Sequence, residues 1–267
     1  MTDSGDGGGG LSVCVLASGS KGNAIYISDG NSSILVDAGL SGKAIELRMR
    51  ERGLDPSALT AVLVSHEHSD HIQGVGVLSR RYSLPVYIAK NTLKAAPQLG
   101  RLHEAHYFEC GQGFSIGKLS IHPFSISHDA ADPAGFTFQQ NGTKIGIATD
   151  LGIATTMVKE HLKDCMLLIL EANHDPDMLI NGPYPWPLKQ RIKGRSGHLS
   201  NQDSKALLNE IQHDQLEYVV LAHLSEANNT PETACQTVGE AITRCRAHLS
   251  VALQDRCGEL IRLGLQL

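Results

Sequence analysis

The sequence contains three histidines and an aspartate within six positions, in the stretch His66-Glu67-His68-Ser69-Asp70-His71. The apolar run 61–64 precedes this stretch, and its length and β-branched residues predict a buried strand that ends just before the histidines. Imidazole and carboxylate groups together favour zinc, manganese or iron over calcium. The spacing predicts two ions, because the first two histidines can converge on one point whereas Asp70 and His71 point to another.

The composition restricts the class of protein. The 267 residues suffice for one large α/β domain or two small ones. A formal net charge of −5 gives no overall attraction to nucleic acid, so a polyanionic substrate needs a local basic patch or bound metal. Six cysteines without a C-x-x-C pair predict reduced thiols. The sequence shows no secretory signal pattern and no apolar run of the ~20 residues that a membrane helix needs, so we expect a cytoplasmic protein without membrane contact.

Strand-like and helix-like runs alternate along the chain after residues 1–10, which are Gly-rich and acidic and which we expect to be a disordered tail. No linker and no short repeat divides residues 11–267, which predicts a single domain. Short alternating runs between residues 104 and 124 predict a β meander. Residues 175–197 are rich in Pro and Gly and are predicted to be a long irregular segment. Segments of this kind inside a compact domain tend to be functional.

Three further ligand-type residues follow predicted strands at wide intervals along the chain. His128 and Asp150 each come after an alternating apolar run, and His223 comes directly after the apolar run 218–222. Because α/β folds place their chemistry at strand ends, we expect these side chains to join the first motif. The predicted metal ligands are His66, His68, Asp70, His71, His128, Asp150 and His223.

The second half of the irregular segment carries four cations in seven residues, with no acid among them. Such a run of charges is commonly a solvent-exposed surface without a ligand. Beside a metal cluster, however, it could be the local basic patch that a polyanionic substrate needs. We therefore predict that these cations hold the flanking phosphates of a substrate. They are Lys189, Arg191, Lys193 and Arg195.

The order H-x-H-x-D-H followed by His, Asp and His resembles the metallo-β-lactamase superfamily through nearly the whole chain after residue 10. The resemblance implies an α/β fold built as a four-layer αβ/βα sandwich, with two mixed β-sheets face to face, helices outside and two divalent ions (zinc or manganese, with iron as an option) at one edge. Carried over residue by residue, it assigns His66, His68 and His128 to the first ion, Asp70, His71 and His223 to the second, and Asp150 to a bridge between them.

The chemistry of the ligands agrees with that assignment. A carboxylate has two oxygens and can span two ions about 3.5–4 Å apart, whereas an imidazole cannot, so Asp150 is the natural bridge. Metal coordination lowers the pKa of water from about 15.7 to about 7. The expected nucleophile is therefore a metal-bound hydroxide.

A finer resemblance is to the YycJ/WalJ-like proteins, which stand near the tRNA-processing and phosphodiesterase enzymes. It implies a DNA nuclease, with DNA favoured over RNA, and more narrowly a 5′-to-3′ exonuclease on double-stranded DNA. The chain lacks the long insert of a β-CASP domain and the long arm of tRNA 3′-processing enzymes. The segments that carry the resemblance are 18–23 (SGSKGN), 66–71 (HEHSDH), 149–152 (TDLG), 171–174 (EANH), 184–192 (YPWPLKQRI) and 197–201 (GHLSN).

Further roles beside metal binding are expected, and one of them follows from the resemblance. Gly197-His198-Leu199-Ser200 is similar to a segment that places a histidine beside the site in phosphodiesterases. We expect His198 to protonate the leaving oxygen or steady the phosphate, with Glu171 holding its other nitrogen and Asp70 counted as catalytic. Asp37 is expected to orient a metal-ligand residue without binding metal itself. His174 is not included among the predicted metal ligands. The predicted substrate contacts, besides the four cations, are Ser18, Ser20, Asn23 and Asn173.

Three alternatives stay open. A phosphodiesterase for a small or cyclic nucleotide-like substrate is slightly favoured by the acidic net charge. A thioesterase or β-lactam hydrolase would leave the basic segment without a purpose. A non-catalytic binding or regulatory module is disfavoured because all seven ligand-type residues are present. Oligomeric state is not predicted.

Overall fold

The computed structural model describes residues 10–264. Apart from Gly10, the predicted disordered tail lies outside the described residues. Within residues 10–264, fourteen strands were assigned: β1 (Ser12–Ala17), β2 (Ala24–Ser28), β3 (Ser33–Val36), β4 (Ala61–Leu63), β5 (Pro85–Ala89), β6 (Glu104–Phe108), β7 (Phe114–Ile116), β8 (Leu119–Ser125), β9 (Ala134–Gln140), β10 (Thr143–Ala148), β11 (Leu167–Glu171), β12 (Tyr218–Ala222), β13 (His248–Val251) and β14 (Ile261–Arg262).

The helices are mostly short, and two 3₁₀ turns, Pro56–Ala58 and Pro97–Leu99, accompany them. No helix in the described part of the chain is long and apolar enough to cross a membrane. The α-helices are α1 (Gly42–Glu51), α2 (Ser69–Ile72), α3 (Val75–Tyr82), α4 (Lys90–Ala95), α5 (Thr156–Leu162), α6 (Pro176–Asn181), α7 (Trp186–Lys193), α8 (Asn201–Ile211) and α9 (Pro231–Gly239).

The strands form two seven-stranded sheets of the same layout. The first has the order β14-β1-β2-β3-β4-β5-β6 and the second the order β13-β12-β11-β10-β9-β8-β7. In the first sheet β1 to β3 pair antiparallel and β3 to β6 pair parallel. In the second sheet β7 to β10 pair antiparallel and β10 to β13 pair parallel. Both sheets are therefore mixed, as predicted.

Three apolar layers hold the sheets and helices together. The central layer lies between the sheets and includes Phe136 and Ile169, whereas the outer layers pack α1 and α3 on the first sheet and α5, α8 and α9 on the second. Burying one large apolar side chain contributes about 1.5–3 kcal/mol, so the central layer fixes one sheet against the other. The four-layer αβ/βα sandwich is confirmed.

Two predictions of secondary structure are wrong. Residues 104–124 do not form a meander, because β6 pairs parallel with β5 in the first sheet whereas β7 and β8 belong to the second. Residues 175–197 are not irregular, because they contain α6 and α7. Pro176 and Pro187 lie in the first turns of these helices, where proline's missing N–H costs nothing and its fixed φ favours the helix.

Candidate active site

Residues with ligand side chains follow the ends of strands in both sheets. His66 to His71 follow β4 of the first sheet, whereas His128, Asp150 and His223 follow β8, β10 and β12 of the second. The connections after these strands lie at one shared edge of the sandwich. The two sheets therefore bring together side chains that are far apart in the sequence.

Three residues at these strand ends have left-handed backbone conformations. The φ angles are +59° at Asp37, +56° at Asp150 and +57° at His223. Asp and His are among the non-glycine residues enriched in this region, but such positions still cost of order 1–3 kcal/mol and cluster at functional sites. The backbone turns sharply here, and the side chains are directed into the shared edge.

All seven predicted metal ligands come together. Their ligand atoms form overlapping groups in which every atom lies within 4.8 Å of the others. Asp150 belongs to more than one group: its Oδ2 lies 3.3 Å from Nε2 of His71, and its Oδ1 lies 3.8 Å from Nε2 of His128. The groups are His66, His68 and His128; Asp70, His71 and His223; His66, His71 and Asp150; and Asp150, Glu171, His198 and His223.

Four of the histidines are held through one ring nitrogen, so that the other nitrogen faces the cluster. An acceptor behind a ring of this kind fixes its tautomer and orientation and raises its basicity as a ligand. Asp37 occupies the place predicted for it. The pairs are Nδ1 of His66 with Oγ of Ser65 (3.0 Å), Nδ1 of His71 with Oδ2 of Asp37 (2.8 Å), Nδ1 of His128 with the carbonyl of Gly197 (3.3 Å) and Nδ1 of His223 with Oε1 of Glu171 (2.8 Å).

Several buried atoms of the cluster have no hydrogen-bond partner in the described chain. They include Nε2 of His66, Oδ2 of Asp150 and Nε2 of His223. A buried polar atom without a partner is costly, and most such atoms in folded proteins are satisfied. Unpaired nitrogen and oxygen lone pairs that converge within a few ångströms fit a divalent cation. The donor set therefore suits metal ions.

The histidines of the cluster have opposite electrostatic environments. Burial lowers the pKa of His66 well below its ordinary value, and the neighbouring imidazoles lower it further. Burial alone would also lower the pKa of His71, but the Asp150 and Asp37 carboxylates raise it to about 9. The pKa of His223 is raised well above its ordinary value despite burial, chiefly by Asp150. His66 is thus neutral and ready to bind metal, whereas an ion near His71 and His223 must displace protons.

His198 and Glu171 form the contact that was predicted for them. Oε1 of Glu171 lies 2.8 Å from Nδ1 of His198. Oε2 of the same carboxylate accepts hydrogen bonds from the backbone amides of Leu151 at 2.7 Å and Leu199 at 3.0 Å. Burial alone would raise the pKa of Glu171, but the His198 and His223 imidazoles hold it well below its usual range. Glu171 is therefore a fixed anion that orients both rings.

A pocket of about 280 Å³ opens beside the ligand cluster. Asp129 and Tyr184 line it but are missing from the predicted site. Asp129 directly follows the predicted ligand His128, and Tyr184 begins the segment 184–192 that carries part of the family resemblance. Oδ2 of Asp129 accepts from Nε of Arg191 at 2.6 Å. The pocket is lined by Ser20, His68, Asp70, His128, Asp129, Asp150, Asn173, Tyr184, Leu188, Arg191, Ile192, Gly197, His198, His223, Leu224 and Ser225.

The turn 18–23 supplies support more than a substrate surface. Ser18 is buried, and its Oγ accepts from the backbone amide of His223 at 2.7 Å. Asn23 is buried too, and its side-chain amide lies 3.0 Å from Nε2 of His71. The predicted substrate contacts at Ser18 and Asn23 are therefore corrected to contacts that hold ligand residues. Ser20 does line the pocket.

Asn173 lines the pocket and also supports it. Its side-chain amide donates to the carbonyl of His223 at 2.8 Å, so one side chain both borders the pocket and holds the loop that carries a ligand.

The four predicted cations separate in space. Lys189 is buried, and its Nζ donates to the carbonyls of Ile180 at 2.7 Å and Gly182 at 2.8 Å. The predicted phosphate contact at Lys189 is therefore corrected to a link between α6 and α7. Arg191 faces the pocket. Lys193 and Arg195 line a separate groove.

His174 lies outside all the ligand groups of the described residues. It is buried, and its Nδ1 has no hydrogen-bond partner in the part of the chain that the structure describes. Burial lowers the pKa of His174 to about 4. The ring is therefore neutral in the folded protein near pH 7.

Two facing mixed sheets with a histidine and aspartate cluster at one edge define a metallo-β-lactamase fold. The metallo-β-lactamase-fold protein YhfI from Bacillus subtilis superposes with a TM-score of 0.74 at 17% identity, over 93% of this chain and 99% of that chain. Residues 32–224 match the family described as Beta-lactamase superfamily domain.

Two curated relatives match at higher identity. Exodeoxyribonuclease YycJ of Bacillus anthracis is 39% identical over 236 residues, which cover 87% of this chain and 89% of the relative. Exodeoxyribonuclease WalJ of Streptococcus pneumoniae is 38% identical over 234 residues, which cover 86% and 87%. The chain belongs to the β-lactamase superfamily, in the branch that contains YycJ and WalJ.

Replacing the buried imidazole behind the site should reduce acid sensitivity. In His174→Gln the free energy of unfolding should fall less between pH 7 and pH 4.5 than in the wild type. The unfolded chain takes up a proton below the ordinary pKa of 6.5, whereas folded His174 does so only near its pKa of about 4. The wild-type contribution is therefore present above pH 6.5 and is lost as the pH falls toward 4, by about 2–3 kcal/mol.

Urea unfolding at both pH values, with a chelator present, measures this difference. Parallel pH profiles for the wild type and His174→Gln would show that the ring titrates normally in the folded protein.

Proposed function

We propose that the protein is a dinuclear metal-dependent phosphodiesterase that acts as a 5′-to-3′ exonuclease on double-stranded DNA. The observation that carries the proposal is the meeting of the seven-residue ligand cluster, His198 and Arg191 around one pocket of about 280 Å³. The names of the two aligned relatives, both exodeoxyribonucleases, support DNA as the substrate. A phosphodiester needs both a water nucleophile and stabilisation of negative charge, and the pocket offers side chains for each.

The proposed metal ligands are the seven clustered side chains, in the division implied by the sequence. When bound, two divalent ions activate water and neutralise the charge that develops on a transferring phosphoryl group. His66, His68 and His128 would hold one ion, Asp70, His71 and His223 the other, and Asp150 would serve both.

His198 is proposed as the proton donor to the leaving oxygen. Its Nδ1 is held by Glu171 at 2.8 Å, which leaves Nε2 for a substrate, and its side chain is 21% exposed in the pocket. The fixed Glu171 carboxylate holds the ring in one orientation. Because a donor of this kind must lie within hydrogen-bond reach of the leaving group, the rigid Glu171 contact positions the proton before the reaction.

Arg191 is proposed to hold a phosphate next to the scissile bond. Nε and one amino nitrogen of its guanidinium contact Oδ2 of Asp129, each at 2.6 Å. A guanidinium has five N–H donors in a planar fork, so the remaining donors can bind a phosphate while Asp129 keeps the group at the mouth of the pocket. Arg191 thus supplies charge and orientation together.

A second candidate substrate is a small or cyclic nucleotide. The pocket volume of about 280 Å³ is just below the range of about 300–1,000 Å³ that is typical of small-molecule sites, which favours a small substrate. A comparison of hydrolysis rates on cyclic nucleotides and on linear duplex DNA separates the two candidates.

Protein loaded with manganese or zinc should degrade linear duplex DNA and leave closed circular plasmid intact. Duplex labelled at the 5′ end should release labelled mononucleotide before the strand shortens from its other end, because 5′-to-3′ action begins at the label. Gel mapping of the products measures the order of release. Faster hydrolysis of a cyclic nucleotide would favour the second candidate. Failure to cleave DNA, RNA, cyclic nucleotides and bis(p-nitrophenyl) phosphate would contradict both.

His198→Ala should reduce the turnover number on duplex DNA about 10²–10⁴-fold, the usual contribution of general acid–base catalysis. Its metal content should stay at the wild-type value, since the proposed ligand set does not include His198. Steady-state kinetics and metal analysis measure the two quantities. His122→Ala, which removes a ring that stacks on His161 away from the pocket, is the matched control. Full turnover by His198→Ala would exclude the assigned role.

A further inference from the structure

A groove of about 340 Å³, separate from the metal pocket, lies beside the segment in which α7 ends. Lys193, Arg195 and Lys159 line it, together with Asp203 and Glu210 of α8. We call it the α7–α8 groove. Its charged side chains are outside the metal pocket, and the metal chemistry proposed above does not use them.

Residues that line the groove are close in sequence to residues that line the metal pocket. Ile192 and Gly197 line the pocket, whereas Lys193 and Arg195, which lie between them in sequence, line the groove. Two residues span at most about 7 Å, and one strand of duplex DNA rises about 3.4 Å per nucleotide. A strand whose end lies in the pocket therefore reaches the groove within about two nucleotides.

The groove has three cations and two acids, and within the described residues two of those cations form no salt bridge. Within residues 10–264 neither Lys193 nor Arg195 forms a salt bridge, and both are exposed. Nζ of Lys159 lies 2.7 Å from Glu210, and Oδ2 of Asp203 accepts from the capping Ser200. The charge left for a ligand is positive.

The groove's backbone is fixed as well as charged. Oγ of Ser127 donates to the carbonyl of Arg195 at 2.7 Å, and a Cβ added at Gly152 would lie 2.2 Å from the same oxygen. The main chain that carries Arg195 is therefore packed closely against the loops that follow β8 and β10. The two free cations extend from a rigid support.

A second groove beside the metal pocket has a different charge pattern. Its volume is about 650 Å³, it shares Leu224 and Ser225 with the pocket, and it is lined by Lys21, Arg48, Glu226 and Asp255 among others. Nζ of Lys21 lies 2.7 Å from both carboxylate oxygens of Glu226, and the Arg48 guanidinium donates to two backbone carbonyls at 2.8 and 2.9 Å. The two cations that line this groove are balanced by two acids, Glu226 and Asp255, so the groove offers a phosphate backbone little net attraction.

We propose that the α7–α8 groove binds the sugar-phosphate backbone of the duplex body, so that the strand end alone enters the metal pocket. The proposal rests on the proposed function and adds to it the direction in which the DNA leaves the site. Contacts to phosphates carry no sequence information, so the groove positions any duplex equally. The modest pocket volume of about 280 Å³ accords with this arrangement, because the body of a duplex cannot enter a pocket of that size.

The test is equilibrium binding of an end-labelled linear duplex, measured by fluorescence anisotropy over a salt series without added divalent metal. The double variant Lys193→Ala/Arg195→Ala should bind at least about tenfold more weakly, as loss of charged hydrogen bonds implies. Its slope of log K against log salt should be smaller by about 2, since each phosphate contact contributes about 0.9. Lys43→Ala/Lys118→Ala removes two exposed cations from elsewhere and should match the wild type.

The outcomes separate the groove from the proposed function. If the wild type degrades duplex DNA and the Lys193→Ala/Arg195→Ala variant keeps the affinity and salt slope of the control, the groove proposal is overturned alone. If the wild type hydrolyses bis(p-nitrophenyl) phosphate but neither binds nor degrades duplex DNA, both the proposed DNA substrate and the proposed role of the groove are contradicted. Restored affinity in Lys193→Arg/Arg195→Lys would support recognition by charge, and circular dichroism confirms that each variant is folded.

Discussion

The buried carboxylate of Asp150 is the group on which the site depends. It is 2% exposed, and its oxygens lie 3.3 Å from Nε2 of His71 and 3.4 Å from Nδ1 of His223. A buried anion is unfavourable unless positive charge surrounds it, and a protonated imidazole or a metal ion can supply that charge. Its left-handed backbone directs it into the cluster. The carboxylate raises the pKa of both His71 and His223, and a metal ion held by these residues would take over the positive charge that the imidazoles supply.

Two other buried carboxylates, Asp37 and Glu171, contact the Nδ1 atoms of histidines in the site. Asp37, which follows β3 of the first sheet, holds His71, and Glu171, which ends β11 of the second, holds His223 and His198. The two anchors thus come from different sheets, and their separation is fixed by the apolar layer between the sheets together with cross-links such as the bond from the His223 amide to Oγ of Ser18. The packing of the two sheets therefore determines the geometry of the site. A shift of one sheet against the other would move His71, which Asp37 holds, relative to His198 and His223, which Glu171 holds.

Much of this could be predicted from the sequence, because ligand residues at the ends of apolar runs have a strong local pattern. The fold and the clustering of the seven ligands follow from that pattern and from the family resemblance. The strand partner of β6 could not be predicted, since alternation does not encode which sheet a strand joins. The positions of the cations could not be predicted either. Lys189 and Arg191 are two residues apart on α7, yet Lys189 is buried against backbone carbonyls whereas Arg191 faces the pocket. Side-chain direction on a helix is visible only once its packing is known.

The most direct test of this account is the number of metal ions that each folded chain holds, measured by native mass spectrometry with elemental analysis. The account predicts two divalent ions per wild-type chain. It predicts one or none in Asp150→Ala, because that change removes the carboxylate shared between the ligand groups, and an unchanged two in the control Asp164→Ala, at another left-handed position outside the cluster. A wild-type chain that holds fewer than two ions, or an Asp150→Ala chain that still holds both, would contradict it.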